Sequence, residues 1–195
     1  MAEMGFKTYR FSISWSRIIP EGTGAVNPKG IEYYNNVINE CLKYGIEPIV
    51  TMFHFDMPAA LDKRGSWSNR ESVDWFVNFA KVMFENFGDR VKYWVTLNEA
   101  NVFTINAYGN GGIPPSMRDY KTAVIAAHTA LVAHGTVVRL FREMNLKGKI
   151  GIALDLVPKL PASDSEEDKL AAEIANGTSH FFSYEAAALG RHPKA

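Results

Sequence analysis

Four short apolar segments alternate with longer amphipathic segments along this chain, and that alternation constrains the fold more than any other feature. The apolar segments are rich in β-branched and aromatic residues, as strands are, and cover residues 6–15, 46–55, 91–98 and 148–157. Apolar residues recur at helical spacing in the segments between and after them. Strands that are apolar on both faces and alternate with helices are typical of a parallel sheet. We therefore predict an α/β fold with about four βα units.

The predicted helices carry start and stop signals. Asn27 suits the N-cap of the first long helix, and Gly45 suits the left-handed position that ends it. An alanine-rich helix is predicted from about Asp119 to Asn145. Two Ser–Glu pairs have the spacing of a capping box and would begin two further helices: Ser68 with Glu71, and Ser163 with Glu166.

Two architectures fit this alternation, a doubly wound sheet and part of a (β/α)8 barrel. A doubly wound nucleotide-binding fold would place a glycine-rich phosphate turn after the first strand, which instead ends in "SWSRIIPEGTG". We therefore favour the barrel. No linker divides the chain, so residues 1–195 are predicted as one domain, a partial TIM barrel.

Composition excludes several classes of function. Lys plus Arg and Asp plus Glu are balanced at 21 each, which argues against an electrostatic nucleic-acid binder. No uninterrupted apolar run reaches the length of a membrane span, so we expect no membrane association. Cys41 is the only cysteine; internal disulfides are thus impossible, and a cytoplasmic location is favoured. No motif calls for a metal or a cofactor, and we expect none.

Polar or ionisable side chains follow or end all four predicted strands. In parallel α/β folds, ligands bind at this carboxyl end of the strands. The polar or ionisable residues are Arg10 and Ser14 on the first strand, His54 and Asp56 on the second, Asn98 and Glu99 on the third, and Asp155 on the fourth. The aromatic residues Trp15 and Phe55 stand beside them at the ends of the first and second strands. Such groups at the same end of four strands are not needed for the stability of a sheet, so they indicate a binding site there.

Each of these residues has a structural alternative. Glu99, partly enclosed by aromatic side chains, could hold a proton near neutral pH and act as a general acid, or it could cap the next helix. Arg10 lies within a strand and needs a partner such as a site carboxylate. His54 could bind a sugar hydroxyl or be a core histidine. The rings of Trp15 and Phe55 could stack on a sugar or belong to the core.

Four motifs together resemble glycoside hydrolase family 1: "YRFSISWSRIIPEG", "FHFDMPAAL", "GDRVKYWVTLNEANVF" and "ASDSEEDKLAA". Members are retaining β-glucosidases and 6-phospho-β-glucosidases on a (β/α)8 barrel. The resemblance covers nearly the whole chain. It implies a β-linked glucoside or 6-phospho-glucoside as substrate. Ala100 stands where β-glucosidases usually have proline, which favours the phospho-glucosidase branch, though this chain does not decide between the two.

The resemblance also implies roles for individual residues. Glu99 in "TLNEA" matches the general acid/base of the family, and Asn98 matches the residue that contacts the sugar 2-hydroxyl. His54 matches a glycone-binding histidine, and Phe55 stands where many members have tryptophan. Arg10 in "YRFSISW" matches the arginine that orients the nucleophilic carboxylate.

The resemblance extends only to βα units two to five of the family barrel. We therefore expect Met1 to correspond to an internal methionine of the family, and the glutamate nucleophile to lie outside this chain. Two hypotheses follow. The chain is a portion of a retaining β-glycosidase that carries only the acid/base, or it is a non-catalytic half-barrel that serves in assembly or sugar binding. In both cases four open strands predict self-association or a complementary barrel fragment as partner.

Overall fold

The computed structural model describes residues 1–177 and 182–190. Its four strands are β1 (Thr8–Ser12), β2 (Glu47–Phe53), β3 (Tyr93–Asn98) and β4 (Lys149–Ala153). They form one parallel sheet in the order β1-β2-β3-β4, so each strand pairs with its neighbours in the chain. The predicted parallel α/β sheet is confirmed, and β1 and β4 are its two edges.

The helices lie between and after the strands. They are α1 (Trp15–Ile18), α2 (Pro28–Lys43), α3 (Ala59–Asp62), α4 (Ser72–Phe87), α5 (Ala100–Thr104), α6 (Tyr120–Glu143), α7 (Glu166–Asn176) and α8 (Phe182–Leu189). A π-helical turn, Ile105–Gly109, follows α5 directly. The long helices α2, α4 and α6 thus follow β1, β2 and β3, as the sequence pattern predicts.

Helix ends follow local side-chain chemistry only in part as predicted. Asn27 accepts a hydrogen bond from the Lys29 N–H and caps α2, and Gly45 has a φ of +67°, as expected. Both predicted capping boxes are wrong. The Ser68 hydroxyl donates to the Gly65 carbonyl in a 3-10 turn before α4. The N-cap of α7 is Ser165, which accepts from Asp168, two residues beyond the predicted start.

The core lies between the sheet and the helices on its outer side. Its largest buried members are aromatic, and α4 contributes Phe76, Phe79, Phe84 and Phe87. The α4 helix packs against α6, which lies over β3 and β4. By length and composition α6 is apolar enough to cross a membrane, but its buried residues face this core.

A buried polar link fastens α6 to the sheet. The Thr96 hydroxyl donates to the Gly151 carbonyl across the β3–β4 pair and lies 2.7 Å from Nδ1 of His134. Burial lowers the pKa of His134 to about 4, so the imidazole is neutral at neutral pH.

Candidate active site

Arg10 connects the carboxyl ends of three strands. From β1 its Nε donates to the Thr51 hydroxyl on β2 at 2.9 Å, and its Nη2 donates to Oδ1 of Asn98 on β3 at 2.6 Å. Thr51 and Asn98 are both buried, which strengthens these charge-assisted bonds. Among the described residues, no carboxylate forms an ion pair with Arg10. The sequence analysis predicted a carboxylate as the partner of Arg10. In this part of the chain its partners are instead the hydroxyl of Thr51 and the amide of Asn98.

The orientation of the Asn98 amide follows from this contact. Because Oδ1 accepts from Arg10, the Nδ2 amino group is the part of the side chain that remains to donate to a ligand. Sequence reasoning identified Arg10 and Asn98 but missed Thr51. The signal was present in "IVTMF", where one hydroxyl interrupts an apolar strand at a position that faces the same side as the Arg10 side chain.

Glu99 stands at the tip of β3 in an uncommon backbone conformation. Its φ of 47° and ψ of 56° are left-handed, a region that costs a non-glycine residue of the order of 1–3 kcal/mol. The chain turns there from strand into α5, and the Glu99 N–H donates to the Ala153 carbonyl of β4 at 2.7 Å. Glu99 is the N-cap residue of α5, but its side chain makes no capping hydrogen bond, and within the described part of the chain its carboxylate makes no ion pair.

His54 and Phe55 follow β2 next to this tip. Phe55 also has a left-handed backbone, with φ of +69°, and 38% of it is exposed. Its ring contacts the ring of Phe103, in the helix that Glu99 begins, at a centroid distance of 5.7 Å. The His54 ring is exposed and meets Phe55 edge-on at 5.1 Å. The structure thus brings the ends of β2 and β3 together as predicted.

Asp56, to which the sequence analysis assigned no role in the site, joins the ends of β1 and β2. Its carboxylate accepts from the backbone N–H of His54 at 3.3 Å and from that of Trp15 at 3.2 Å. Burial raises the pKa of Asp56, and these hydrogen bonds act in the opposite direction. Asp56 therefore fixes the backbone around His54 and Phe55, although no feature of "FHFDMP" distinguishes this use from a simple turn.

Trp15, at the predicted end of the first strand, does not contribute its side chain to this site. Trp15 is fully buried, stacks on Phe79 at 4.7 Å and donates its Nε1–H to the Gly22 carbonyl, so it belongs to the core. Asp155 lies beyond β4, which already ends at Ala153.

An aromatic cavity of about 230 Å³ lies beside Phe55 and Phe103. Ser66 and Tyr108 contribute polar groups to its lining, and the Tyr108 hydroxyl accepts from the Trp67 N–H at 3.0 Å. Burial raises the pKa of Tyr108. Among residues 1–177 and 182–190, no three His, Cys, Asp or Glu side chains cluster in a way that could hold a metal ion.

Comparison with protein families gives one match over the entire chain. The model described as Glycosyl hydrolase family 1 matches residues 1–195. Beta-glucosidase A of Thermotoga maritima is 51% identical over 166 residues, which are 85% of this chain and 37% of that protein. A 6-phospho-beta-galactosidase of Clostridium acetobutylicum is 48% identical over 193 residues, covering 98% of this chain and 41% of the other.

Comparison with solved structures gives matches to the same family. A family 1 β-glucosidase from Thermotoga maritima superposes with a TM-score of 0.95 at 46% identity, over 98% of this chain and 43% of that one. A beta-glucosidase from Thermotoga maritima in complex with deoxynojirimycin gives a TM-score of 0.95 at 46% identity, over 98% of this chain and 44% of that one. The four-stranded sheet is therefore part of a TIM barrel. The chain spans about two fifths of the length of these relatives.

Proposed function

Because the chain belongs to glycosyl hydrolase family 1, we propose that it contributes the acid/base half of the active site of a retaining β-glycosidase. The substrate is a β-glucoside or a 6-phospho-β-glucoside, since similar proteins include a beta-glucosidase and a 6-phospho-beta-glucosidase. The observation that carries the proposal is the position of Glu99 at a strained strand tip, beside a buried asparagine that a guanidinium orients.

Glu99 is the proposed general acid and then the general base. In the first step it donates its proton to the glycosidic oxygen, and the aglycone leaves as an alcohol while a nucleophilic carboxylate attacks the anomeric carbon. In the second step the Glu99 carboxylate removes a proton from water, which displaces the enzyme carboxylate and releases the sugar with retained configuration. The unpaired carboxylate suits both roles because no internal partner holds it.

The neighbouring residues are proposed to bind the sugar. Asn98 donates its Nδ2 hydrogens to the 2-hydroxyl, in the orientation that Arg10 enforces. His54 donates to a glycone hydroxyl, and the exposed Phe55 ring packs against a sugar face. Arg10 remains beside the position of the attacking carboxylate and orients it.

The nucleophile is proposed to come from outside residues 1–195. A retaining mechanism needs two carboxyl groups roughly 5–5.5 Å apart. Asp56 is engaged by two backbone N–H groups, and Glu47 lies at the amino end of β2, where it pairs with Lys92. Neither is free to attack a sugar beside Glu99. We therefore expect residues 1–195 to be inactive alone, and to associate with a second copy or a complementary barrel fragment.

A chimera tests the proposed roles. Residues 1–195 would replace the matching segment of Thermotoga maritima Beta-glucosidase A, which supplies the rest of the barrel. We expect the chimera to hydrolyse aryl β-glucosides. Glu99→Gln in the chimera should slow hydrolysis of substrates with poor leaving groups by about 10²–10⁴-fold, because protonation of the leaving oxygen is lost.

Azide distinguishes loss of acid/base catalysis from misfolding. With a good leaving group the Glu99→Gln chimera still forms its glycosyl-enzyme, and azide, which needs no general base, should release a β-glycosyl azide. The matched control is Glu85→Gln, on the exposed surface of α4, which should behave as the parent chimera does. Absence of the β-azide, or turnover by residues 1–195 alone that Glu99→Gln abolishes, would contradict the proposed division of roles.

A further inference from the structure

The Asp56 carboxylate uses its two oxygens at two different strand ends. Its Oδ2 accepts from the Trp15 N–H after β1, and its Oδ1 accepts from the His54 N–H after β2. Burial raises the pKa of Asp56, which indicates that water is partly excluded around the carboxylate. In such surroundings a hydrogen bond is stronger and a missing one costs more, so this bridge fixes the distance between the two strand ends.

The end of β1 is held firmly by contacts that do not involve Asp56. Trp15 is fully buried and stacks on Phe79 at a centroid distance of 4.7 Å. One residue earlier, the Ser14 N–H donates to the Tyr34 hydroxyl of α2 at 2.7 Å. Trp15 is therefore the fixed side of the bridge.

The end of β2 depends on Asp56 more directly. The strand ends at Phe53, so His54 lies beyond the ladder and its N–H is held by the Asp56 carboxylate. His54 and Phe55 are both exposed, and Phe55 has a left-handed backbone, which is unfavourable for a bulky residue. Such a conformation persists only where the surrounding contacts determine it, and the bond from His54 to Asp56 spans it.

We propose that Asp56 is a positioning residue for glycone binding, which transfers the fixed position of Trp15 to the exposed pair His54 and Phe55. The inference rests on the proposed function, in which His54 donates to a glycone hydroxyl and the Phe55 ring packs against a sugar face. Asp56 acts through these two residues, because both of its oxygens accept from backbone N–H groups.

Asp56→Asn in the chimera tests this role, because asparagine has the same shape but only one oxygen that accepts. One of the two N–H groups then faces an amino group, and the bridge is broken. Calorimetry with deoxynojirimycin, which is bound in a similar solved structure, measures glycone binding without turnover. We expect Asp56→Asn to weaken this binding roughly tenfold. It should lower kcat/KM for a nitrophenyl β-glucoside by a similar factor, with most of the change in KM.

A double-mutant cycle separates positioning from general damage to the fold. His54→Ala removes the side chain that Asp56 is proposed to position, so adding Asp56→Asn should weaken deoxynojirimycin binding further by less than about threefold. A merely structural defect would give the same loss in both backgrounds. Asp74→Asn, in the exposed first turn of α4, is the matched control for loss of one aspartate charge and should bind as the parent chimera does.

Unchanged binding and kcat/KM in Asp56→Asn would overturn the inference, as would an equal loss with and without the His54 side chain. Azide separates it from the proposed role of Glu99, since azide should not restore Asp56→Asn, whose acid/base is intact. If Glu99→Gln keeps full activity while the Asp56 cycle gives the expected result, the acid/base assignment fails and this inference stands. A folded parent chimera that does not bind deoxynojirimycin would overturn both.

Discussion

The two central strands and the two edge strands of this sheet have different environments. In β2 and β3, five of seven and four of six residues are buried, whereas no residue of β1 or β4 is. The central strands are covered by α4, α6 and their aromatic side chains on the outer side. The difference indicates that the two central strands provide most of the stability of this four-stranded part of the barrel.

The candidate site uses both regions. Arg10 comes from an edge strand and is held by Thr51 and Asn98 of the central strands. Glu99 ends a central strand and its N–H is held by Ala153 of an edge strand. Displacement of either edge strand would therefore move Arg10 or Glu99 relative to the rest of the candidate site.

The largest expected contrast comes from matched truncations in a central and an edge strand. Leu97→Ala removes a fully buried side chain from β3 and should lower the free energy of unfolding by about 3 kcal/mol. Ile152→Ala in half-buried β4 should cost about 1 kcal/mol, because less apolar area returns to water. Urea unfolding at a concentration where the chain is monomeric measures both. Equal costs would contradict the contrast between centre and edge.

The pH dependence of stability tests the buried contact between His134 on α6 and Thr96 on the central strand β3. The pKa of His134 is about 4 when folded, whereas an unfolded histidine has a pKa of about 6.5. Between these values the unfolded chain binds a proton that the folded chain does not, so stability falls as pH falls from 6.5 towards 4. At pH 5 the loss relative to pH 7 should be about 2 kcal/mol.

His134→Gln should remove this part of the pH dependence, and urea unfolding at pH 7 and pH 5 compares the two proteins. An unchanged dependence in His134→Gln would mean that other groups cause the acid destabilisation, and that the Thr96 contact does not depend on a neutral imidazole.

Sequence reasoning predicted the regular features of this fold and missed those that depend on three-dimensional contacts. The order of strands and helices, the cap at Asn27 and the turn at Gly45 arise from local patterns. The burial of Trp15 does not, because an aromatic residue at a strand end has the same local pattern whether it faces a sugar or Phe79.

The predicted capping boxes are wrong for a different, local reason, because a neighbouring polar side chain accepts the backbone hydrogen bond instead. Ser68 has the correct spacing to Glu71, but Asn69, one residue on, accepts from the Glu71 N–H and delays the start of α4.

For the site, motifs identified Arg10 and Asn98, yet their direct contact and the role of Thr51 require the register of three strands. The left-handed backbone of Glu99 leaves no signal in the sequence.

The smallest expected effect concerns the strained tip of β3. Glu99→Gly should raise the free energy of unfolding by about 1 kcal/mol, because glycine adopts the left-handed conformation without the steric cost that glutamate bears. Glu99→Gln keeps that cost and should change stability by less than about 0.5 kcal/mol. Both variants lack the carboxylate, so the difference between them reports the backbone preference at this position without the loss of charge, and thermal and urea unfolding measure it.

The same substitution in a helix should have the opposite sign. Glu32→Gly, on the exposed face of α2, should cost about 1 kcal/mol, because glycine weakens a helix interior. If Glu99→Gly also destabilised the chain, the left-handed tip would not be a strained position. If the signs differ, the buried centre of the sheet stabilises a backbone conformation at Glu99 that a glutamate would not otherwise adopt. That would be evidence that the geometry of this tip serves catalysis and not stability.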